Sequence, residues 1–488
     1  MNVETPLIQP NLPNLPNLLS DPQILEGYRD ESFVSPMRVR SVVRVNNLEE
    51  VQAVVKWAKE TRTPLIPVSS APPHFNGDTA PSVGGAVALD LSAMKRIIRV
   101  DRRNRIVMVE PGVTFGQLRA ALNKEGLTPL MPLLPRCGKS VLTSFLERTP
   151  ITAPRFHWEP QDPLQCVEVV YGTGDVMRTG SAAIPSSLEA QWELGKAQVR
   201  GTGPSQVDFT RLLQGAQGTL GIVTWGSIKC RPSAKHRKLF LVACDQASPL
   251  IEMAYAITFK KLGEELFLLS RAELASMLGK NAQEIAALRG ALPSWVLVLG
   301  IDGAGVLPED KVAYQQAECA EIARTLGLEL QTALPDLSGQ RVEALLSEPS
   351  PEPYWKLRLR GAGASIFFLT TLERACGFID SFRRMAAERR YPGDDIGIYV
   401  QPTVQGANCH VQLDLPYDVA SREQAAAVAW LVDQGAATLA REGAFFSRPY
   451  GPWARAAYDG DPQIVIAQRK LKRIFDPGGI LNPGKLCF

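Results

Sequence analysis

Leu471-Lys-Arg-Ile-Phe-Asp476-Pro477-Gly478-Gly479-Ile-Leu-Asn482-Pro483-Gly484-Lys485 lies at the end of a chain of 488 residues. A helix runs into this stretch and stops at Asp-Pro-Gly-Gly, because proline cannot continue it and glycine permits a sharp reversal. The turn delivers an amide and a cation, Asn482 and Lys485, on a short segment stiffened by proline and glycine. Such a pair can hydrogen-bond and neutralise a planar, electron-rich ring. The helix itself is expected from Asp461, which caps, through Pro462 at the first helical position, to Phe475.

Upstream, strands and helices alternate from about Arg40. Ser41-Val-Val-Arg-Val45 reads as a strand. Asn47 opens a helix with Glu50 three residues on, a capping-box arrangement, and Leu48, Val51, Val54, Val55 and Ala58 form its apolar face. Pro64-Leu-Ile-Pro-Val68, Ala86-Val-Ala-Leu-Asp90 and Ile106-Val-Met-Val-Glu110 read as strands. Thr114 caps a further helix with Gln117 at its third position, and Gly126 ends it. Val167–Tyr171 and Val176–Thr179 form a hairpin pattern, and Gly221-Ile-Val-Thr-Trp225 another strand. After Pro232 longer helical runs alternate with apolar strands such as Trp295–Leu299 and Ile398–Val400. The expected class is α+β. Residues 9–18 repeat Pro-Asn-Leu and predict an extended arm, which lies over its own surface or wraps a neighbour in a homo-oligomer.

Composition bounds the function. Hydrophobic residues make up 45% and charged residues 21%, a globular balance. A net charge of +3 provides no field that would recruit nucleic acid or a membrane surface. No apolar run approaches the roughly 20 residues of a spanning helix, and Met1-Asn-Val-Glu-Thr-Pro lacks the basic and apolar parts of a signal peptide. The expected location is cytoplasmic. The eight cysteines are scattered, with no Cys-x-x-Cys pair, which speaks against a zinc ribbon or an iron–sulfur cluster within the chain. If electrons leave the chain, a separate partner or a diffusible acceptor must take them.

Five stretches in order resemble the FAD-binding domain of the vanillyl-alcohol oxidase/4-cresol dehydrogenase superfamily. They are Arg44-Val-Asn-Asn-Leu-Glu-Glu-Val51, Val87-Ala-Leu-Asp-Leu-Ser-Ala-Met-Lys95, Val109-Glu-Pro-Gly-Val113, Leu213-Gln-Gly-Ala-Gln-Gly-Thr-Leu-Gly-Ile-Val-Thr224 and the C-terminal run. The resemblance implies a two-domain PCMH-type fold. An arm (1–37) would precede an FAD-binding domain (38–233), then an α+β cap or substrate domain (234–440), then a return segment (441–488). It also implies an FAD-dependent dehydrogenase or oxidase acting on a small-molecule alcohol, 2-hydroxy acid or phenol. A base or anion-binding group prepares the substrate, hydride passes to flavin N5, and electrons go on to a separate protein or to oxygen. A flavin-binding or flavin-less accessory subunit, and a non-redox flavoenzyme of the ether-lipid-forming type, are the alternatives.

Two departures mark a divergent member. The family's glycine-rich phosphate loop is here Ser69-Ser70-Ala-Pro-Pro-His74-Phe-Asn76-Gly77-Asp, in which two prolines remove two amide donors. Its second glycine-rich stretch is here Gly138-Lys139-Ser140-Val-Leu-Thr-Ser-Phe-Leu-Glu-Arg148. By resemblance the cofactor-binding candidates are Ser69, Ser70, His74, Asn76 and Gly77, then Pro111, Gly112, Lys139 and Ser140. Gly218, Thr219, Gly221, Ile222 and Val223 follow, with Asn482 and Lys485 at the flavin edge. His74 is also the candidate for covalent attachment, against the plain reading of a loop histidine.

Arg448, in Phe446-Ser-Arg-Pro-Tyr450, occupies the position of the family's Tyr-Arg pair, with Ser447 in place of the tyrosine. It is a candidate to bind phenolate or carboxylate, and Tyr450 to supply the missing phenol. Imidazole as a side chain titrates near neutrality, which makes His410 the candidate base. Asn408 shares its strand face and is a substrate-binding candidate. Trp158 is a second one, in a segment that runs near the flavin in the family. Of the metal-binding pattern of the hydroxy-acid branch, only Asn408 and His410 survive in Thr403-Val-Gln-Gly-Ala-Asn-Cys-His410, so no metal site is expected.

Overall fold

The computed structural model describes residues 17–30, 37–156, 162–204, 207–403 and 408–488. Much of the expected arm, and Trp158, lie outside these residues.

Three parallel strands begin the first domain. Ser41–Arg44, Val87–Asp90 and Leu65–Val68 pair in that order, with Leu18–Leu19 antiparallel on the outer edge of Ser41–Arg44. Parallel strands need crossover connections, and helix Leu48–Thr61 links the two that flank Val87–Asp90. The Asn47 side chain accepts from Glu50 N at 2.9 Å, and the Glu50 carboxylate accepts from Asn46 N at 2.8 Å. Val51, Val54 and Val55 on this helix are fully buried, as the helical spacing of the apolar residues requires.

The second sheet is antiparallel: Ile97–Asp101, Ile106–Val109, Ile222–Pro232, Leu164–Val170 and Val176–Arg178, with Leu127–Pro129 on the far end of the long strand. That strand spans eleven residues, well beyond the expected 221–225. It is long because one end pairs with Leu164–Val170 and the other with Leu127–Pro129. Val43, Leu89, Trp57, Val170, Ile222 and Leu481 pack together, joining both sheets to the C-terminus.

The cap is a six-stranded antiparallel sheet ordered His236–Cys244, Trp295–Gly303, Glu265–Ser270, Gly397–Pro402, Asn408–Tyr417, Ala362–Thr371. Side chains alternate between its faces. Phe240, Val242, Leu266, Leu268, Leu297 and Leu299 face one layer of helices, and Leu239, Leu241, Phe267, Leu269, Val296 and Val298 face another. The second face is only half covered by helices. Over the last three strands it carries Ser365, Phe367, Tyr399 and Gln412, which wall a cavity instead. The cap's packing reaches past residue 440: Ala444, Phe446, Tyr450 and Trp453 belong to its core. Helix Pro462–Phe475 then returns the chain, and Phe475 stacks on Tyr171 at 4.6 Å. The architecture is a two-domain α+β fold.

Candidate functional site

The C-terminal run is a clamp. Leu65 N donates to Ile480 O and Asn482 N to Leu65 O, both at 2.8 Å, so the segment adds to the edge of the first sheet. The buried Asp476 carboxylate accepts from Ile480 N at 3.1 Å and Leu481 N at 2.8 Å. Lys472 Nζ lies 2.7 Å from that carboxylate and donates to Thr219 O at 2.6 Å and Leu481 O at 2.7 Å. Asn482 Nδ2 donates to Gln217 O at 2.7 Å. Lys485 Nζ donates to Gly77 O at 3.0 Å and Ala80 O at 2.7 Å. One short segment therefore holds the glycine-rich turn and the phosphate loop together. Burial pushes Lys485 below its ordinary value, and it braces the loop from behind.

These loops enclose a first cavity of about 130 Å³. Ser69, Ser70, Gly77 and Pro111 line it on one side, and Gly218, Gly221, Ile222, Val223 and Asn482 on the other. At Gly218 φ is +70°, and a Cβ would stand 2.4 Å from Pro67 Cγ, so only glycine keeps this wall in place. Four other candidates support the wall without lining it. Ser140 Nα donates to Ser70 Oγ at 3.0 Å and its hydroxyl caps helix Val141–Leu146 by accepting from Thr143 N at 3.1 Å. Gly112 allows the chain to pass Ser92 O, which a Cβ would meet at 2.3 Å. Thr219 Oγ1 donates to Ala216 O at 2.6 Å. His74 is buried, stacks on Tyr28 at 6.2 Å and faces Asp78 at 3.4 Å.

The proline-containing loop is held by a neighbour that sequence reasoning passed over. Arg136 Nη1 donates to Ala71 O at 2.7 Å, and Ala71 N donates to Gly138 O at 3.0 Å. The signal available was an arginine two residues before the Gly138-Lys139 pair.

A second cavity, of about 170 Å³, lies between the domains. Asp78, Glu147 and Tyr450 line both cavities, so the two adjoin. Asn76 and Lys139 line the second one, where Lys139 pairs with Glu147 at 2.7 Å. Burial pushes Asp78 up, but His74, Lys139 and Arg136 outweigh it and hold the carboxyl below its usual range. Aromatic rings dominate the remaining walls: Phe75, Tyr354, Trp355, Phe367, Tyr399 and Trp453.

Arg448 is 7% exposed, lines this cavity, and lies over the Phe367 ring at 4.1 Å. Among the described residues it makes no hydrogen bond and no ion pair. Burial lowers its pKa, with Tyr450 and Glu147 pulling the other way, yet a guanidinium remains a cation at neutral pH. Burial likewise pushes the Tyr450 phenol far up, so it stays protonated. His410 stands behind the wall, 5.8 Å from the Tyr399 ring and 6.0 Å from Phe367, and lines neither cavity. Asn408 is exposed at the strand's start and lines neither.

Sequence reasoning also passed over a buried network beside Phe367. Lys356 Nζ donates to Asp414 Oδ1 at 2.7 Å and to Ser365 Oγ at 3.0 Å. Gln412 Nε2 donates to Asp414 Oδ2 at 2.9 Å. Glu273 shares a hydrogen bond with Asp414. Burial and the Asp414 charge push Glu273 well above the ordinary carboxyl range, while Lys356 holds Asp414 below it against the effect of burial.

The first cavity suits an extended dinucleotide. Asn482 Oδ1 is buried on its wall without a hydrogen-bond partner among the described residues, a vacancy that a ligand donor would fill. Gly218 keeps one wall free of side chain, and the opening past Tyr450 leads to the aromatic cavity. Residues 39–180 match the FAD binding domain family model. The chain as a whole resembles the vanillyl-alcohol oxidase/4-cresol dehydrogenase superfamily at low identity. It is 23% identical over 475 residues to the 4-cresol dehydrogenase [hydroxylating] flavoprotein subunit of Pseudomonas putida, covering 91% of this chain and 87% of the relative. Crystalline p-cresol methylhydroxylase with substrate bound superposes with a TM-score of 0.80 at 20% identity, over 97% of this chain and 94% of the other. The 4-ethylphenol oxidase of Gulosibacter chungangensis superposes at 0.79 and 18% identity, over 96% and 93%. The cofactor is FAD, and the protein is an FAD-dependent oxidoreductase. No helix among the described residues is long and apolar enough to cross a membrane.

Proposed function

We propose that this protein oxidises a small aromatic compound carrying an anionic oxygen, a phenolate or carboxylate, and passes the electrons to a separate acceptor. The observation that carries this reading is Arg448: a buried cation without a carboxylate partner among the described residues, over Phe367 in an aromatic-walled cavity. A buried unpaired charge is costly, and a bound anion relieves that cost through bidentate hydrogen bonds. The rings of Phe367, Tyr399 and Trp453 favour a planar partner. Tyr450, protonated and bordering both cavities, donates to an oxygen at their junction. Bound FAD supplies the hydride acceptor. The chain's own part is to hold the anion, orient the ring and keep water out. Phenols are preferred over aliphatic hydroxy acids because the walls are aromatic. The separate acceptor is supported by the Pseudomonas relative, which is a flavoprotein subunit.

Purified protein should show the visible bands of oxidised flavin. Anaerobic addition of 4-alkylphenols should bleach them faster than aliphatic 2-hydroxy acids do. Arg448→Met should retain FAD while kcat/KM falls about 100-fold, the scale expected when a charge-assisted anchor is lost. Colourless protein that FAD cannot reconstitute would favour the accessory-subunit reading. Flavin that no phenol, alcohol or hydroxy acid reduces would sink the oxidation.

A further inference from the structure

Phe367 and Ser365 are same-face neighbours on strand Ala362–Thr371, and both line the aromatic cavity. Arg448 lies over Phe367 at 4.1 Å, and Lys356 Nζ lies 3.0 Å from Ser365 Oγ. Two strand residues span about 7 Å, so the two cations are separated on that order along one cavity wall. Their charge states differ. Arg448 has no counter-ion among the described residues, whereas Lys356 is paired with Asp414 at 2.7 Å. Two buried carboxyls sharing a hydrogen bond do not both ionise, so Glu273 keeps its proton. The Lys356–Asp414–Glu273 cluster is then neutral overall. An ammonium has three donors. Ser365 and Asp414 take two, and the residue lines the cavity.

We propose that Lys356 is a second substrate anchor, whose third donor binds a neutral oxygen on a substrate whose anionic end rests on Arg448. A second anion is disfavoured there because Asp414 already balances the ammonium. The substrate class is therefore an aromatic ring with an anionic oxygen at one end and a hydroxyl, carbonyl or ether oxygen at the other. A para-disubstituted benzene has a matching length. Lys356 acts only in binding, and Asp414 with Ser365 positions it. The inference rests on the reading of Arg448 given above.

The test uses the FAD-loaded enzyme and two unreactive probes, benzoate and 4-hydroxybenzoate, titrated by their perturbation of the flavin spectrum. Wild type should bind 4-hydroxybenzoate about tenfold more tightly, the effect of one hydrogen bond from a charged donor. Lys356→Met should bring the two affinities within about twofold while leaving benzoate within about twofold of wild type. The double variant Lys356→Met/Asp414→Asn, which keeps the buried cluster neutral, should behave alike, and FAD content and thermal unfolding report whether each is folded. Equal affinities in wild type, or a preference that persists in either variant, would overturn the role of Lys356 alone. Failure of both probes to bind wild type would overturn the Arg448 reading and this one with it.

Discussion

The two adjoining cavities are built by opposite means. The first is shaped by backbone turns and small residues, Gly77, Gly218, Gly221 and the serines at 69 and 70, with aliphatic side chains such as Leu142, Leu146 and Ile222 between them. A short terminal segment locks them through carbonyl and amide bonds from Lys472, Asn482 and Lys485. The second is walled by large rings and charged side chains drawn from both domains. A backbone-built site holds a fixed ligand and tolerates little change. A side-chain-built site can be re-lined for another substrate while the fold persists.

The clamp should be the most sensitive point of the first cavity. Asp476→Ala removes the acceptor for two backbone amides and leaves buried Lys472 without its carboxylate. Breaking a buried pair in this way costs about 3–5 kcal/mol. The expected result is a large fall in Tm together with loss of FAD, read by calorimetry and by the absorbance ratio of flavin to protein. Retention of stoichiometric FAD at wild-type Tm would show that the terminal segment does not hold the loops.

Gly218→Val tests the wall while leaving the clamp's own side chains, Asp476, Lys472 and Asn482, in place. The new Cβ would stand 2.4 Å from Pro67 Cγ at a φ of +70°. Strain of this kind costs on the order of 1–3 kcal/mol, and the displaced turn should weaken FAD by about 100-fold or less. Fluorescence titration of apoprotein with FAD measures it. Substrate-probe affinity should change little once the variant is loaded with FAD, because Gly218 does not line the aromatic cavity. A variant that binds FAD normally but loses the probes would reverse the comparison.

The same division explains what could be read from the chain. Asn47 with Glu50, Thr114 with Gln117, the hairpin after Val170 and the Gly-rich turn are local patterns, and each forms where its own residues dictate. The direction of a side chain leaving a loop is not local. Lys485 and His74 sit in motifs that were readable, yet their atoms brace the loop from behind because Gly77, Ala80 and Tyr28 are there to receive them. In the cap, Phe367, Gln412 and Tyr399 become neighbours only through strand register. His410 shares that strand face but lies one row along, beside Leu369 and Gln401. Lys356 comes from a separate turn, and nothing in its sequence surroundings points to Asp414.

The smallest expected effect concerns the buried charges beside the second cavity. Glu273 has an ordinary value of 4.5 and is raised well above it by burial and by Asp414. The folded state therefore keeps a proton that the unfolded state releases above about pH 4.5. Stability from this group is fully present below that value and is lost as pH rises toward the folded value. The slope within that window is at most about 1.4 kcal/mol per pH unit. Asp414 works in the other direction and at lower pH: its lowered value adds stability above 3.8 that is lost as pH falls through the folded value. The two windows do not overlap. Lys356, Ser365 and Gln412 face the pair and stay in one protonation state throughout. Glu273→Gln keeps a donor toward Asp414 and cannot ionise. Its Tm should match wild type near pH about 4.5 and exceed it increasingly up to pH about 8. Parallel Tm profiles for the two proteins would mean that Glu273 titrates normally, and the neutral cluster on which the second anchor depends would have to be abandoned.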